Sequence, residues 1–139
     1  MELNDTDNKY ITFKLGDMTF EYDEKKNQKN IEKHGISFKS AARVFFDYDR
    51  IEFYDEENSQ EEERYDTIGD TTAGNIELFD NGTVIGNVRE ITGGKEDVLF
   101  VVYTERIKKN DAGKDTDITR LISARYATNF ERGLYYGKY

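Results

Sequence analysis

Residues 20–38 read FEYDEKKNQKNIEKHGISF, and the fold turns on a change of period inside this stretch. Up to Asp23 apolar and polar residues alternate, and with YITFKL at 10–15 and the turn residues LGDM at 15–18 they predict a hairpin over residues 10–22. From Asp23 the alternation stops. Asp23 suits a helix N-cap, Glu24 puts negative charge in the first turn, basic residues fill the last turn, and Gly35 supplies the stop. Ile31 is the one large apolar residue of this helix, which is therefore expected to be mostly exposed. The chain's single histidine, His34, closes it beside Lys33.

Working outward, Ser37 caps a second helix whose Phe38, Ala41, Ala42, Phe45 and Phe46 fall at helical spacing and form the face that enters the core. After Asp47 the pattern is that of strands: 50–54, 64–69, 75–79, 83–91, 98–105 and 117–125, with Asp80-Asn81-Gly82 as a hairpin turn between the third and fourth. VLFVVY at 98–103 is apolar on both faces and belongs in the sheet centre, with DITRLISAR as its partner across a turn at Asn110–Gly113. Thr128 and Glu131 match a capping box for a last short helix packed through Phe130, Leu134 and Tyr135. The order predicts one α+β domain over residues 1–139, an antiparallel meander with two N-terminal helices and a C-terminal helix, preceded by about seven disordered residues.

The chain has 139 residues, a net charge of −9 and no cysteine, so a disulfide framework is excluded and a zinc site would need one histidine plus carboxylates. No apolar run approaches membrane-spanning length, and MELNDTDNKY at the N-terminus is unlike a signal peptide, so a cytoplasmic location is expected. The acidity is unevenly spread. Residues 24–43 carry six bases against two acids and 98–139 carry eight against five, whereas 44–97 carry four bases against sixteen acids. Two basic segments bracket an acidic middle, and a fold that joins them would put a positive face on an acidic molecule. Charge alone permits equally that these are ordinary solvated faces.

Four pieces, in order, resemble the BrnT toxins, a branch of the RelE-like ribonucleases of type II toxin–antitoxin pairs: FEYDEKKNQKNIEKHGISF, EERYDTIG at 62–69, VLFVVYTER at 98–106 and RLISARYATNFERGLYY at 120–136. The resemblance covers most of residues 18–136. It leaves out the N-terminal strand and residues 71–97, which read as an inserted hairpin. Where many relatives have a histidine before the serine of the acidic connection, this chain has Asn58-Ser59. The resemblance implies a metal-independent endoribonuclease acting on messenger RNA, with no cofactor. It also implies a silencing antitoxin of ribbon-helix-helix type (BrnA-like), through which alone operator DNA would be reached. Matching positions are Tyr22, Lys25, Asn30, Lys33, His34, Gly35 and Phe38, then Arg64, Gly69, Arg106, Arg120, Arg125 and Glu131.

Cutting RNA without a metal requires removing a 2′-hydroxyl proton, stabilising charge on the phosphate and protonating the leaving 5′-oxygen. Histidine suits the proton steps and arginine the phosphate. The catalytic candidates are therefore His34, Lys33, Arg106 and Arg125, with Tyr22, Lys25, Lys29 and Arg120 as RNA-binding candidates. Each has a plainer alternative. His34 suits a helix C-terminus on charge alone, the Lys25–Lys29–Lys33 stripe suits solvent, and Arg106 could pair with Asp117 across the sheet. A turn at 110–113 sets Arg106 opposite Asp117 and Arg125 opposite Val98, about 26 Å apart along the sheet, too far to grip one phosphate. Arg125 has no such partner in sequence, Arg120 is either a site residue or a half-buried paired one, and Glu131 reads as a cap. The acidic run at 55–63 reads as a solvated loop rather than a magnesium site, and most of the aromatics as core. A second reading keeps the same surface without catalysis, as a silent module that binds an antitoxin or another protein.

Overall fold

The computed structural model describes residues 9–72, 77–80, 83–87 and 97–138. Strands β1 (Tyr10–Leu15) and β2 (Met18–Asp23) form the expected hairpin, with Phe13 opposite Phe20 and Ile11 opposite Tyr22. Helix α1 (Glu24–His34) starts where the Asp23 carboxylate accepts from the Lys25 and Lys26 amides, and stops where Gly35 takes φ +72°. That left-handed turn favours glycine. Ser37 caps α2 (Phe38–Ala41), which tightens at once into a 3₁₀ turn at Ala42–Phe46.

Strands β3 (Ile51–Tyr54), β4 (Tyr65–Asp70), β7 (Val98–Lys109) and β8 (Asp115–Tyr126) complete a six-stranded sheet in the order β1-β2-β8-β7-β4-β3. Strands β5 (Glu77–Asp80) and β6 (Thr83–Asn87) pair with each other as a separate antiparallel ribbon. The rest of the expected insert at 71–97, its Asn81-Gly82 turn included, falls largely outside the described residues, as do residues 1–8. The capping box at Thr128 and Glu131 opens the last helix, α3 (Asn129–Tyr135).

Two expectations need correction. The sheet is mixed, not antiparallel throughout, because β2 runs parallel to β8, with Phe20 beside Thr119 and Glu21 beside Arg120. Nor is the β7–β8 register the one a simple turn dictates. Lys109 pairs with Asp115 and Arg106 with Ile118, and a bulge at Val102/Tyr103 then moves Arg125 opposite Phe100. A bulge gives one strand an extra residue, here Ile122, and shifts everything beyond it by one place.

Helices α1 and α2 and the 3₁₀ turn cover one face of the sheet. Phe20, Phe38, Val44, Phe45, Leu99, Val101, Leu121 and Ala124 form the core between them. Contact is close enough that a Cβ on Gly69 would sit 3.1 Å from the Val44 Cβ and 3.2 Å from its carbonyl oxygen. Helix α1 docks through asparagines and not through Ile31, which is 38% exposed. Asn27 Oδ1 accepts from the Phe38 amide at 2.9 Å, fixing α2 to α1. Asn30 Nδ2 donates to the carbonyls of Ile36 (2.9 Å) and Ala124 (2.8 Å), and its Oδ1 accepts from the Ala124 amide at 3.1 Å. The β2–β8 pairing covers Thr119 and Arg120, and β2 ends at Asp23. At Ala124 the amide of Asn30 stands in for the missing strand, pairing both backbone groups as a neighbour would.

Candidate functional site

The end of α1 is held from both sides. Asn30 ties the helix to β8, and Ile36, 5% exposed, anchors the chain just past the Gly35 turn. His34 and Lys33 sit between these fixed points, His34 half-buried and Lys33 exposed. Neither side chain makes a hydrogen bond or ion pair among the described residues, and the same holds for exposed Lys29.

A cleft of about 140 Å³ opens at the same turn, lined by Gly35, Ile36, Ser40, Arg43, Thr71, Asp97, Leu99 and Tyr126. Arg43 is half-buried, and burial pulls its guanidinium below the usual arginine range. It too has no hydrogen-bond or ion-pair partner among the described residues. Tyr126, 54% exposed, presents a ring at the rim. A cationic group partly withdrawn from water and without an ion-pair partner favours an anion in the space it faces, and Asp97 on the same lining offsets part of that attraction. Arg43 did not stand out in sequence, because its helix is recognised by its apolar spacing and a single basic residue there reads as the solvent side.

The sheet arginines lie elsewhere. Arg106, Arg120 and Arg125 project from the face opposite α1 and α2, since Phe100, Thr104 and Arg106 alternate with the core residues Leu99, Val101 and Tyr103. Arg120 and Arg125 are five residues apart, a spacing that would set them on opposite faces of a regular strand. The bulge at Ile122 restores them to one face. Arg106 and Arg125 remain six residues apart along β7, about 20 Å.

Each of these arginines is held by a carboxylate. Arg106 pairs with Glu62 at 3.1 Å and not with Asp117, which the register sets opposite Ile107. Arg64 reaches the same Glu62 at 3.5 Å. Arg125, which had no evident partner in sequence, makes two bonds to Glu131, at 2.7 and 2.9 Å, and stacks 4.2 Å from the Phe100 ring centre. Glu131 thus caps α3 and grips Arg125 together, and the Arg125 hydrogen bond holds its carboxyl below the usual range. Arg120 binds Glu21 through Nε at 2.6 Å and through its terminal nitrogen, and Lys108 binds the other Glu21 oxygen at 2.7 Å. Glu21 is 1% exposed; burial alone would raise its carboxyl pKa, but the two cations outweigh that and keep it low.

Of the remaining sequence candidates, Tyr22 is 4% exposed, with its ring edge-on to those of Phe13 and Phe38, and offers no open face to a base. Lys25 and Lys29 are exposed on α1. A group not singled out in sequence is Asp66, 4% exposed on the sheet face that also carries Arg125. Its carboxyl is raised to about 7, first by burial and then by its hydrogen bond to Asp55 and that group's charge. Asp55 moves the other way: against the effect of burial it is held below the usual carboxylate range by Asn58, which donates to it at 3.0 Å, and by Asp66. Alternation within YDTIG does not reveal this, because Asp55 reaches Asp66 only when β3 and β4 pair.

Among the described residues no group of three or more His, Cys, Asp or Glu side chains is arranged to hold a metal ion. No described helix is long and apolar enough to cross a membrane. Residues 22–79 match a family model described as "Ribonuclease toxin, BrnT, of type II toxin-antitoxin system". No curated protein matches the chain. The matched segment contains α1, Lys33, His34, Arg43, Arg64 and Asp66, and excludes Arg106, Arg120 and Arg125. Over residues 22–79, the chain is therefore similar to the BrnT ribonuclease toxins of type II toxin–antitoxin systems.

Proposed function

We propose that this protein is a metal-independent endoribonuclease of RelE-like type that cuts messenger RNA at the C-terminal end of α1. In this reading a ribbon-helix-helix antitoxin silences it, and operator DNA is reached only through that antitoxin. The observation that carries the proposal is the contrast between the two faces. At the end of α1, Lys29, Lys33, His34 and Arg43 have no ion-pair partner among the described residues, whereas Arg106, Arg120 and Arg125 are each neutralised by a glutamate.

His34 takes the 2′-hydroxyl proton, or returns one to the leaving 5′-oxygen, since imidazole exchanges protons near neutral pH. Arg43 and Lys33 stabilise the charge that builds on the phosphate. Lys25 and Lys29 extend the contact along the RNA backbone, and Tyr126 offers a ring for a base. Arg106 and Arg125 join only if RNA displaces Glu62 and Glu131.

That last condition favours one alternative, a protein-binding module that keeps the fold and has its sheet arginines locked. RNA cleavage in EDTA separates the two. Wild-type cleavage that is lost in His34→Ala supports the enzyme. No cleavage by pure protein, together with no growth arrest on expression, leaves only the binding module.

A further inference from the structure

Beyond the end of the helix layer, three tyrosines line up across three strands. Register sets Tyr54 of β3 opposite Tyr65 of β4, and Tyr65 opposite Tyr103 of β7. Their rings are 5.8 Å apart edge-to-face and 5.7 Å apart near-parallel. Together with Glu52, Phe53 and Glu105 they line a cleft of about 330 Å³. Tyr103, 5% exposed, is the floor; Tyr54, 50% exposed, is one wall.

Around these rings the charge is negative. Tyr103 donates to Glu52 at 3.1 Å and Tyr65 to Glu63 at 3.4 Å, so both hydroxyls already serve carboxylates. Glu105 stands two residues along β7 on the same face, and its carboxyl is raised by burial and by the like charges of Asp117 and Glu52, with Thr119 opposing. The cation paired with this cluster is Arg50, 3.2 Å from Glu52; Arg106 lies in the neighbouring cleft beside Glu63 and Glu105 but is paired with Glu62. Three carboxylates therefore surround aromatic faces with one guanidinium to balance them. A phosphate would be repelled here; a cation would gain both the carboxylates and the ring faces.

We propose that this cleft takes arginine side chains from a basic, extended segment of a partner protein. The guanidinium stacks on Tyr54 and Tyr65 between Glu52 and Glu105. The partner's backbone runs along β3, the last strand of the sheet on this side, where every second side chain of an added strand would face the cleft. Under the toxin–antitoxin reading the partner is the antitoxin, and only that naming rests on it.

Fluorescence anisotropy with a labelled heptapeptide of alternating arginine and threonine tests the site directly. Salt-sensitive binding is expected, weakened about fivefold by Tyr54→Ala and by Glu105→Gln. The counterpart with citrulline in place of arginine should not bind. Glu57→Gln removes the same charge from the loop at 55–63, outside the cleft, and should change affinity by less than about twofold. Equal binding of the citrulline peptide, or no binding at all, would overturn the proposal. So would a loss in Glu57→Gln as large as in Glu105→Gln, which would reduce the effect to attraction by an acidic protein. RNA cleavage plays no part in these readouts, so their failure leaves the ribonuclease proposal standing, and the reverse holds too.

Discussion

Replacing Asn30 with alanine removes the side chain that substitutes for a strand beside Ala124. Three hydrogen bonds disappear, at 2.9, 2.8 and 3.1 Å, and they strand the Ile36 carbonyl and both backbone groups of Ala124. Asn30 is 8% exposed, so water does not replace the lost partners cheaply. At about 1 kcal/mol for each stranded group, the loss is about 3 kcal/mol, a large share of a typical domain's stability. In a chain of this size that lowers Tm by about 10 °C. Urea denaturation should show a lower midpoint with an unchanged slope. Ile31→Ala, at the helix's one large apolar position, should cost less than about 1 kcal/mol. A loss below about 1 kcal/mol in Asn30→Ala, or a larger loss in Ile31→Ala, would refute the claim that α1 is docked by its asparagines.

Asp66, raised from 3.8 to about 7, holds a proton in the folded state that the unfolded chain gives up, so its stabilising contribution is full at low pH and lost as pH rises through 7. Asp66→Asn should therefore gain stability relative to wild type between pH 5 and pH 8; a pH-independent difference between the two proteins would contradict this. Gly69→Ala forces a methyl against Val44 and Arg50 and should cost about 1–2 kcal/mol in urea melts, whereas a neutral result would mean the 3₁₀ turn moves aside easily. A double-mutant cycle of Arg125→Ala with Glu131→Ala should give a coupling of about 1 kcal/mol, above what an exposed pair supplies, because the bond is two-pronged and Glu131 is largely covered. Additive effects would show that Glu131 acts only as a cap.

Local chemistry was legible in the sequence, and long-range pairing was not. Asp23, Gly35, Ser37 and Thr128 each announce a helix end because a cap acts within four residues, and all four do so in the structure. The parallel contact of β2 with β8 leaves no local mark, since the two strands lie about a hundred residues apart. Separation in sequence also hid the partners of the arginines: Glu21 reaches Arg120 and Glu62 reaches Arg106 only after the sheet has formed. Asn27 and Asn30 misled in another way. Polar residues predict exposure, but an amide that satisfies backbone groups can be buried as firmly as leucine. Of the candidate site, Lys33 and His34 stood out as residue types beside a glycine stop. Arg43 needed the cleft to be seen, and Asp66 needed its neighbour.

In the proposed enzyme the uncompensated basic groups at the end of α1 make the reactive centre, and the carboxylate-held arginines of the opposite face do not. Single-turnover cleavage of a messenger RNA in EDTA, measured side by side for His34→Ala, Arg43→Ala, Arg106→Ala and Arg125→Ala, tests it most directly. A fall of about 100-fold or more is expected for His34→Ala and Arg43→Ala, the scale of losing a proton-transfer group or a charge-stabilising donor. Arg106→Ala and Arg125→Ala should stay within about tenfold of wild type once folding is matched. The reverse pattern, with His34→Ala fully active and either sheet arginine essential, would contradict it.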